Sequence, residues 1–302
     1  MLKLDFVKIS PGGNPTILLE KRQVAQRDRA AAAAALMSQL HLGAEQVGFV
    51  DCAASPPSLE MMGGEFCLNA TRALAYELRR RGALLPLEDT DDLYGLARSS
   101  GLTEPVQLRV RAGRRAGAED ALECFISLRL PWSEKTISVP ARGLTLIRLP
   151  GITHLLVEEK NTPLRTVPDL QKEARAYMRR FGLEKEAACG IIRHRPWNIP
   201  EQERARLPLK TQCPGRSITP LVHVAATGSL TAESACGSGS LALALALAGN
   251  KEISLPVLQP SGEFLRLHLC GVRPGETSRL AEAGGMVRLI AAGKTLWQPP
   301  LA

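Results

Sequence analysis

Residues Gly63–Gly82 read GGEFCLNATRALAYELRRRG, and residues Ala232–Gly249 read AESACGSGSLALALALAG. Each segment places a cysteine, Cys67 or Cys236, after a glutamate and one or two small or aromatic residues. Each then passes through short polar residues into an apolar or amphipathic run. Asn69 and Thr71 follow the first cysteine; Gly237, Ser238 and Gly239 follow the second. Such residues favour a helix start and leave its backbone open. Both segments therefore read as a cysteine at the mouth of a helix, the first helix closed by Gly82. The run LALALALA is apolar around its whole circumference, so the second helix is expected to be buried.

Working outward, KLDFVKI alternates apolar and polar residues and reads as a strand, turned by PGGN at Pro11–Asn14 into a second strand, TILLE. The alanine-rich stretch Arg27–Leu42 predicts a helix, and EQVGFVDC and SLEMM predict short strands. VQLRVRAG and ALECFISLRL predict a hairpin. A second cycle starts near Ile137: strands in ISVPARGLTLIRL and HLLVEE, a helix over Asp169–Phe181, then strands in ACGIIRHR and ITPLVHVAA. SLPVLQP, GEFLRLHLCGV and GMVRLIAAGKTLW close the chain as strands. The repeated order predicts an α/β (α+β) chain of two pseudo-symmetric domains, each a mixed sheet wrapped around a central helix. The expected boundaries are residues 1–134, completed by a C-terminal strand at 286–302, and residues 135–285.

Length and composition fit this reading. A chain of 302 residues, 45% hydrophobic and 23% charged, is long enough for two ordinary domains. The longest apolar run, Leu241–Ala248, is well short of a bilayer span, and MLKLDFVKIS lacks the form of a secretory signal. The expectation is a cytoplasmic protein with no membrane partner. Seven cysteines (Cys52, Cys67, Cys124, Cys189, Cys213, Cys236 and Cys270) include no CxxC pair and no metal-ligand spacing. They imply reduced thiols and no metal site. A net charge of +8 admits nucleic acid or small anionic metabolites. The basic clusters at Arg79–Arg81 and Arg111–Arg115 are not interleaved with aromatics, and the first lies where a helix end favours cations, so the second reading is preferred.

Unpaired N–H groups and partial positive charge at a helix N-terminus lower a thiol's pKa and bind carboxylates. Two such mouths facing each other would hold one α-carboxylate, with a sulfur on either side of the α-carbon. That arrangement suits racemisation: one thiolate removes the α-proton while the opposite thiol protonates the other face. Converging N–H donors in a closed site stabilise the developing charge, and no cofactor is required.

At these residues the sequence resembles the diaminopimelate epimerase-like superfamily of cofactor-independent racemases. Within it, the sequence is most similar to the histidine racemases of opine-type (staphylopine-like) metallophore biosynthesis. The resemblance rests on GGNPTILL (Gly12–Leu19), EQVGFV (Glu45–Val50), GGEFCLNATRA (Gly63–Ala73), THLLV (Thr153–Val157), ITPLVHV (Ile218–Val224), ESACGSG (Glu233–Gly239) and LQPSG (Leu258–Gly262). It implies two pseudo-symmetric α/β domains with the site between them, a homodimer, and Cys67 and Cys236 as the acid/base pair. It also implies that Asn14, Asn69, His154 and Glu233 line the site, that Gly237 and Ser238 supply carboxylate donors, and that Glu45 and Leu68 stand beside the substrate.

Two departures bear on the substrate. Leu68 and Ala70 stand where the family usually has glycine, and their Cβ atoms restrict the backbone. VHVAATGSLTAESAC lacks the arginine with which diaminopimelate epimerases clamp a distal carboxylate before the second cysteine. The expected reaction is therefore interconversion of L- and D-histidine, a small-molecule amino-acid substrate, without nucleic acid. The alternatives are a diaminopimelate epimerase or proline-type racemase, and, from another class, a catalytically silent amino-acid-binding protein.

Overall fold

The computed structural model describes residues 1–112, 121–159, 166–199, 201 and 214–299. The chain divides into two compact units, Met1–Ser127 with Gly284–Ala302, and Leu128–Ala283.

In the first unit β1 (Leu2–Pro11) and β2 (Thr16–Glu20) are antiparallel. A crossover through α1 (Arg29–Met37) lays β3 (Gln46–Asp51) parallel to β2, and β4 (Ser58–Met61) pairs antiparallel with β3. α2 (Leu68–Arg80) is the next crossover. After it come the short β5 (Leu85–Pro86), then β6 (Leu93–Ser99) parallel to β4, β7 (Val106–Ala112) and β8 (Ala121–Pro131). β6, β7 and β8 are successive antiparallel neighbours.

The second unit repeats the order. β9 (Ile137–Ala141), β10 (Leu144–Leu149) and β11 (Ile152–Glu158) form an antiparallel meander. A crossover through α3 (Val167–Phe181) lays β12 (Ala188–Trp197) parallel to β11, and β13 (Gly215–Val224) is antiparallel to β12. β14 (Ser229–Ala232) folds back on β13. α4 (Gly237–Ala248) then crosses to β15 (Ile253–Leu258), parallel to β13, and β16 (Phe264–Leu269) pairs antiparallel with β15. β17 (Ser278–Trp297) returns to pair with β1 through Val287–Trp297. The fold is mixed α/β.

Two kinds of helix follow from two kinds of sequence. α1 and α3 are amphipathic and cover one face of their sheets. Ala32, Ala33 and Leu36 pack on Leu4, Ile17, Leu19, Val47 and Phe49; Ala174 and Met178 pack on Leu146, Leu155, Ile191 and Leu221. In α2 every residue from Leu68 to Leu78 is buried, and the helix packs on β1, β2, β3, β4 and β7. α4 is buried from Gly237 through Leu245, against β10, β11, β15 and β16, as its all-round apolar sequence requires. Each leucine so enclosed contributes about 1.5–3 kcal/mol relative to an exposed one.

α1 is shorter than the stretch Arg27–Leu42 predicts. Arg27 and Asp28 belong to a preceding 3-10 turn, and Ser38 leaves the helix at φ −55, ψ 135. Ser38 Oγ accepts from the Leu40 N–H, and its carbonyl accepts from His41 and Gly43, bonds that compete with continued helix. α2 ends as expected, with Gly82 left-handed at φ +67. Its basic C-terminus is paired internally: Glu77, completely buried, accepts from both Arg80 and Arg81, and Arg81 also reaches Glu20. In the other basic cluster Arg111 binds Asp92, while Arg114 and Arg115 lie outside the described residues. Among the described residues no helix is long and apolar enough to cross a membrane.

Candidate active site

Both cysteines occupy the N-cap position of their helices, in extended backbone: Cys67 at φ −120, ψ 107 and Cys236 at φ −128, ψ 103. The two caps are alike bond for bond. Cys67 Sγ accepts from the Ala70 N–H at 3.4 Å, and Cys236 Sγ accepts from the Gly239 N–H at 3.4 Å. Thr71 Oγ1 donates to the Cys67 carbonyl at 2.8 Å; Ser240 Oγ donates to the Cys236 carbonyl at 2.7 Å. Sulfur thus replaces the oxygen acceptor that ordinarily caps a helix. A thiolate in that place would gain from the same N–H group and from the helix dipole.

In the first unit Cys67 is partly exposed, and its S–H donates to Gln46 Oε1 at 3.0 Å. Gln46 Nε2 donates to Asn14 Oδ1 and Thr16 Oγ1, each at 2.7 Å, and Asn14 Nδ2 donates to Glu45 Oε2 at 2.8 Å. Asn14 and Glu45, both expected at the site, are thereby connected to Cys67 through Gln46. Asn69 accepts from Arg72, which is completely buried and also donates to the carbonyls of Cys124 and Met286. Leu68 is completely buried. The approach to Cys67 is fixed from below by the turn Ser99–Gly101. Ser100 Oγ donates to the Glu65 carbonyl, and a Cβ on Gly101, at φ +76, would lie 2.4 Å from the Phe66 nitrogen. Burial pushes the Glu65 carboxyl above its ordinary range.

In the second unit Cys236 is buried, and its backbone N–H donates to Gln259 Oε1 at 2.9 Å. Gln259 Nε2 donates in turn to Ser240 Oγ at 3.0 Å. Ser238 Oγ stands 3.7 Å from Cys236 Sγ and 3.0 Å from His154 Nε2. His154, on β11, is completely buried, and burial pushes its pKa down to about 3, so the ring is neutral. Burial and the neighbouring Glu233 carboxylate, which accepts from the thiol, hold Cys236 well above the ordinary thiol range; the Gly239 N–H and Ser238 pull the other way. This reverses the expectation that the helix mouth lowers its pKa: at Cys236 desolvation and a carboxylate outweigh one N–H donor. The second unit therefore gathers His154, Glu233, Gly237 and Ser238 around Cys236, with Gly237 as the first residue of α4.

Gln46, Thr16, Ser240 and Gln259 escape a reading of the sequence alone, and Thr71 is read there only as a helix-start residue, not as the donor to the Cys67 carbonyl. One signal was there: a hydroxyl residue four positions after each cysteine, Thr71 and Ser240. The remaining described cysteines, Cys52, Cys124, Cys189 and Cys270, are free thiols. Burial pushes Cys52, Cys124 and Cys189 up to about 12. Cys213 lies outside the described residues. Among the described residues no group of three or more His, Cys, Asp or Glu side chains is placed to hold a metal ion.

Residues 3–198 match the family model described as histidine racemase CntK N-terminal domain. Two proteins named histidine racemase, from strains of Fusobacterium nucleatum subsp. nucleatum, are each 31% identical over 267 residues. Those alignments cover 86% of this chain and 86% and 87% of the relatives. A histidine racemase of Staphylococcus aureus is 36% identical over 80 residues, 25% of this chain and 29% of that protein. At the level of fold the chain is similar to a hydroxyproline epimerase from Agrobacterium vitis (TM-score 0.58, 10% identity, 97% of this chain and 93% of that one). It is likewise similar to a probable proline racemase from Agrobacterium radiobacter (TM-score 0.57, 10% identity, 98% and 93%).

Proposed function

Because the chain belongs to the histidine racemase family, we propose that it is a cofactor-independent amino-acid racemase that interconverts L- and D-histidine with Cys67 and Cys236 as its two bases. One observation carries this reading. The two cysteines sit in the same N-cap frame, each with an N–H donated to sulfur from three residues on and a hydroxyl donated to its carbonyl from four residues on. A single capped cysteine is a packing feature; the same cap in both repeats supplies a pair of groups with one chemistry.

In this mechanism the two repeats are the domains 1–134 with 286–302, and 135–285, of a diaminopimelate epimerase-like fold. Remaining N–H groups at the mouths of α2 and α4 bind the α-carboxylate. One sulfur removes the α-proton while the other returns a proton to the opposite face, and the sulfurs exchange roles with the hand of the substrate. Glu233, which accepts a hydrogen bond from the Cys236 thiol, can take up that thiol's proton. Asn14, Glu45, Leu68 and Asn69 line the Cys67 side; His154, Gly237 and Ser238 line the Cys236 side. The product, D-histidine, would serve metallophore synthesis, and the enzyme would act as a cytoplasmic homodimer.

The test is proton NMR of L-histidine in D₂O with reduced protein. Loss of the α-proton signal with D-histidine appearing supports the reading. Cys67→Ser and Cys236→Ser should each remove nearly all of that exchange. A persistent α-proton, or full exchange in either variant, overturns it.

A further inference from the structure

The two buried helices end differently. In the second unit the C-terminal end of α4 is closed by Arg279, which is buried, donates to the Gly249 and Lys251 carbonyls and stacks on Trp132. In the first unit a cavity of about 340 Å³ lies at the C-terminal end of α2. That volume falls within the range of small-ligand sites. Glu77, at the cavity, is ten residues beyond Cys67 (77 minus 67), about 15 Å along the helix at 1.5 Å per residue. The cavity is therefore separate from the mouth that holds the cysteine.

Strand register explains its sheet wall. Asp5 pairs with Lys294, and Val7 pairs with both Ala292 and Leu18. Side chains alternate along a strand, so these residues and Glu20 share one face, and the cavity lies against it. Val50, the partner of Glu20 on β3, completes an apolar floor with Val7 and Leu18, all three buried. Opposite stands the last turn of α2, with Glu77, Arg80 and Arg81.

The two walls carry opposite charge. The sheet wall sets the carboxylates of Asp5 and Glu20 against one ammonium, Lys294, a net charge of −1; the helix wall sets Arg80 and Arg81 against Glu77, a net charge of +1. Glu77 is completely buried and fixes both guanidiniums. Arg80 binds it through Nε and Nη2 at 2.7 and 2.8 Å, and Arg81 through Nε at 2.6 Å, while Arg81 Nη1 reaches Glu20 at 2.5 Å. Among the described residues these bonds use two of the five N–H donors of each arginine, so both keep donors, in a fixed orientation, for a further carboxylate. Asp5 and Lys294 stand 3.6 Å apart and are 69% and 59% exposed, an open pair that a ligand can divide.

We propose that this cavity is a second ligand site, which takes a small zwitterion with an aliphatic middle. Its ammonium group meets Asp5 and Glu20, its carboxylate meets Arg80 and Arg81, and its methylenes lie on Val7, Leu18 and Val50. A ligand with one charge satisfies one wall and leaves the other unmatched; a zwitterion is complementary to both. The site does not depend on the reading of the cysteines.

The test is saturation-transfer NMR with 4-aminobutanoate, a zwitterion that has no stereocentre and is therefore no substrate for a racemase. Saturable binding with a dissociation constant on the order of 1 mM is expected for a ligand of this size. Butanoate and butylamine each lack one charge and should bind about tenfold more weakly or worse. Asp5→Asn and Arg80→Gln each neutralise one contact and should weaken 4-aminobutanoate by about tenfold or more. Both side chains are largely open to solvent, and Glu77 keeps Arg81 as its partner, so the fold withstands either change. Ala292→Phe, at an exposed position on the sheet wall, fills the cavity and should abolish the signal. Absence of saturable binding, equal binding of butanoate, or full binding in Ala292→Phe overturns the site; the last result would place the ligand elsewhere, at the helix mouths included. Binding of 4-aminobutanoate by a protein that leaves histidine unexchanged would keep the site and sink the proposed function; exchange of histidine without such binding would do the reverse.

Discussion

Gly190→Ala is the smallest change that tests the packing behind the second cysteine. The new methyl would lie 2.3 Å from His154 Nδ1, against 3.4–4 Å for ordinary contact, so the ring must retreat by about 1 Å. His154 and Gly190 are partners on adjacent parallel strands, and the ring is completely buried, so little slack exists. The retreat stretches the 3.0 Å bond to Ser238 past hydrogen-bonding range. Overpacking of this kind costs about 1–3 kcal/mol, and the lost bond adds about 1 kcal/mol. Urea denaturation followed by circular dichroism should show a loss of about 2–4 kcal/mol. Under the proposed mechanism, a displacement near 1 Å beside Cys236 should lower racemisation roughly a hundredfold. A double-mutant cycle isolates the cause: with His154→Ala already present, Gly190→Ala should cost little, giving a coupling of about 1 kcal/mol or more. Additive effects, or wild-type stability in Gly190→Ala, would refute the account of the ring lying against the glycine.

Three other outcomes follow from the same geometry. Gln46→Leu removes the acceptor of the Cys67 S–H and takes one donor each from Asn14 Oδ1 and Thr16 Oγ1; urea denaturation should show a loss of about 1–3 kcal/mol, with α-proton exchange falling as well. Arg279→Met should destabilise by about 2–3 kcal/mol by the same assay, because the buried guanidinium donates to the Gly249 and Lys251 carbonyls that close α4, and stacks on Trp132. His154 and His194 have folded pKa values pushed down to about 3 and about 4 from 6.5. Their neutral forms favour the fold, so this stability is present above pH 6.5 and is lost as pH falls through 4 and then 3. His194→Gln should flatten the upper part of that acid limb in denaturation midpoints measured against pH; an unaltered limb would exclude burial of His194 as its cause.

What the sequence makes legible is what short range decides. Each cysteine with its following small residues marks a helix mouth, Gly82 ends α2, and the alternation of ISVPARGLTLIRL and ITPLVHV marks strands. β6 and β14 were not legible: YGLARS and SLTA are short, and their strand character comes from pairing with β7 and β13. The start of β17 at Ser278 precedes the apolar run beginning at Gly285, because its first residues are held by tertiary neighbours rather than by pattern. The same division holds in the site. Cys67 and Cys236 are visible from their surroundings in the chain, while Gln46 and Gln259 are polar residues at ordinary strand ends until the fold brings them to a cysteine. The thiol of Cys236 is misjudged from sequence for the same reason: a helix mouth is local, whereas burial and the pose of Glu233 are not.

The two repeats solve one packing problem in opposite ways. Each builds its cysteine mouth beside the parallel strand pair made by its first helical crossover. In the first unit that pair sets Thr16 opposite Gln46; in the second it sets His154 opposite Gly190. One partner in each pair is long and polar and reaches the helix mouth, Gln46 to Cys67 and His154 to Ser238 beside Cys236. The other partner is short: Thr16 accepts a hydrogen bond from Gln46, and Gly190 leaves room for the His154 ring. The long residue stands on the second strand of the pair in one unit and on the first in the other. A duplicated fold can therefore keep its backbone cap identical while supplying different chemistry to each sulfur. At Cys67 the thiol meets a neutral amide oxygen that itself belongs to a network ending at Glu45. At Cys236 it meets a carboxylate and a hydroxyl that is itself hydrogen-bonded to a neutral histidine. In the proposed two-base mechanism the cysteines hold opposite protonation states at the start of a turnover, and such a difference in surroundings separates their titrations where identical surroundings would not.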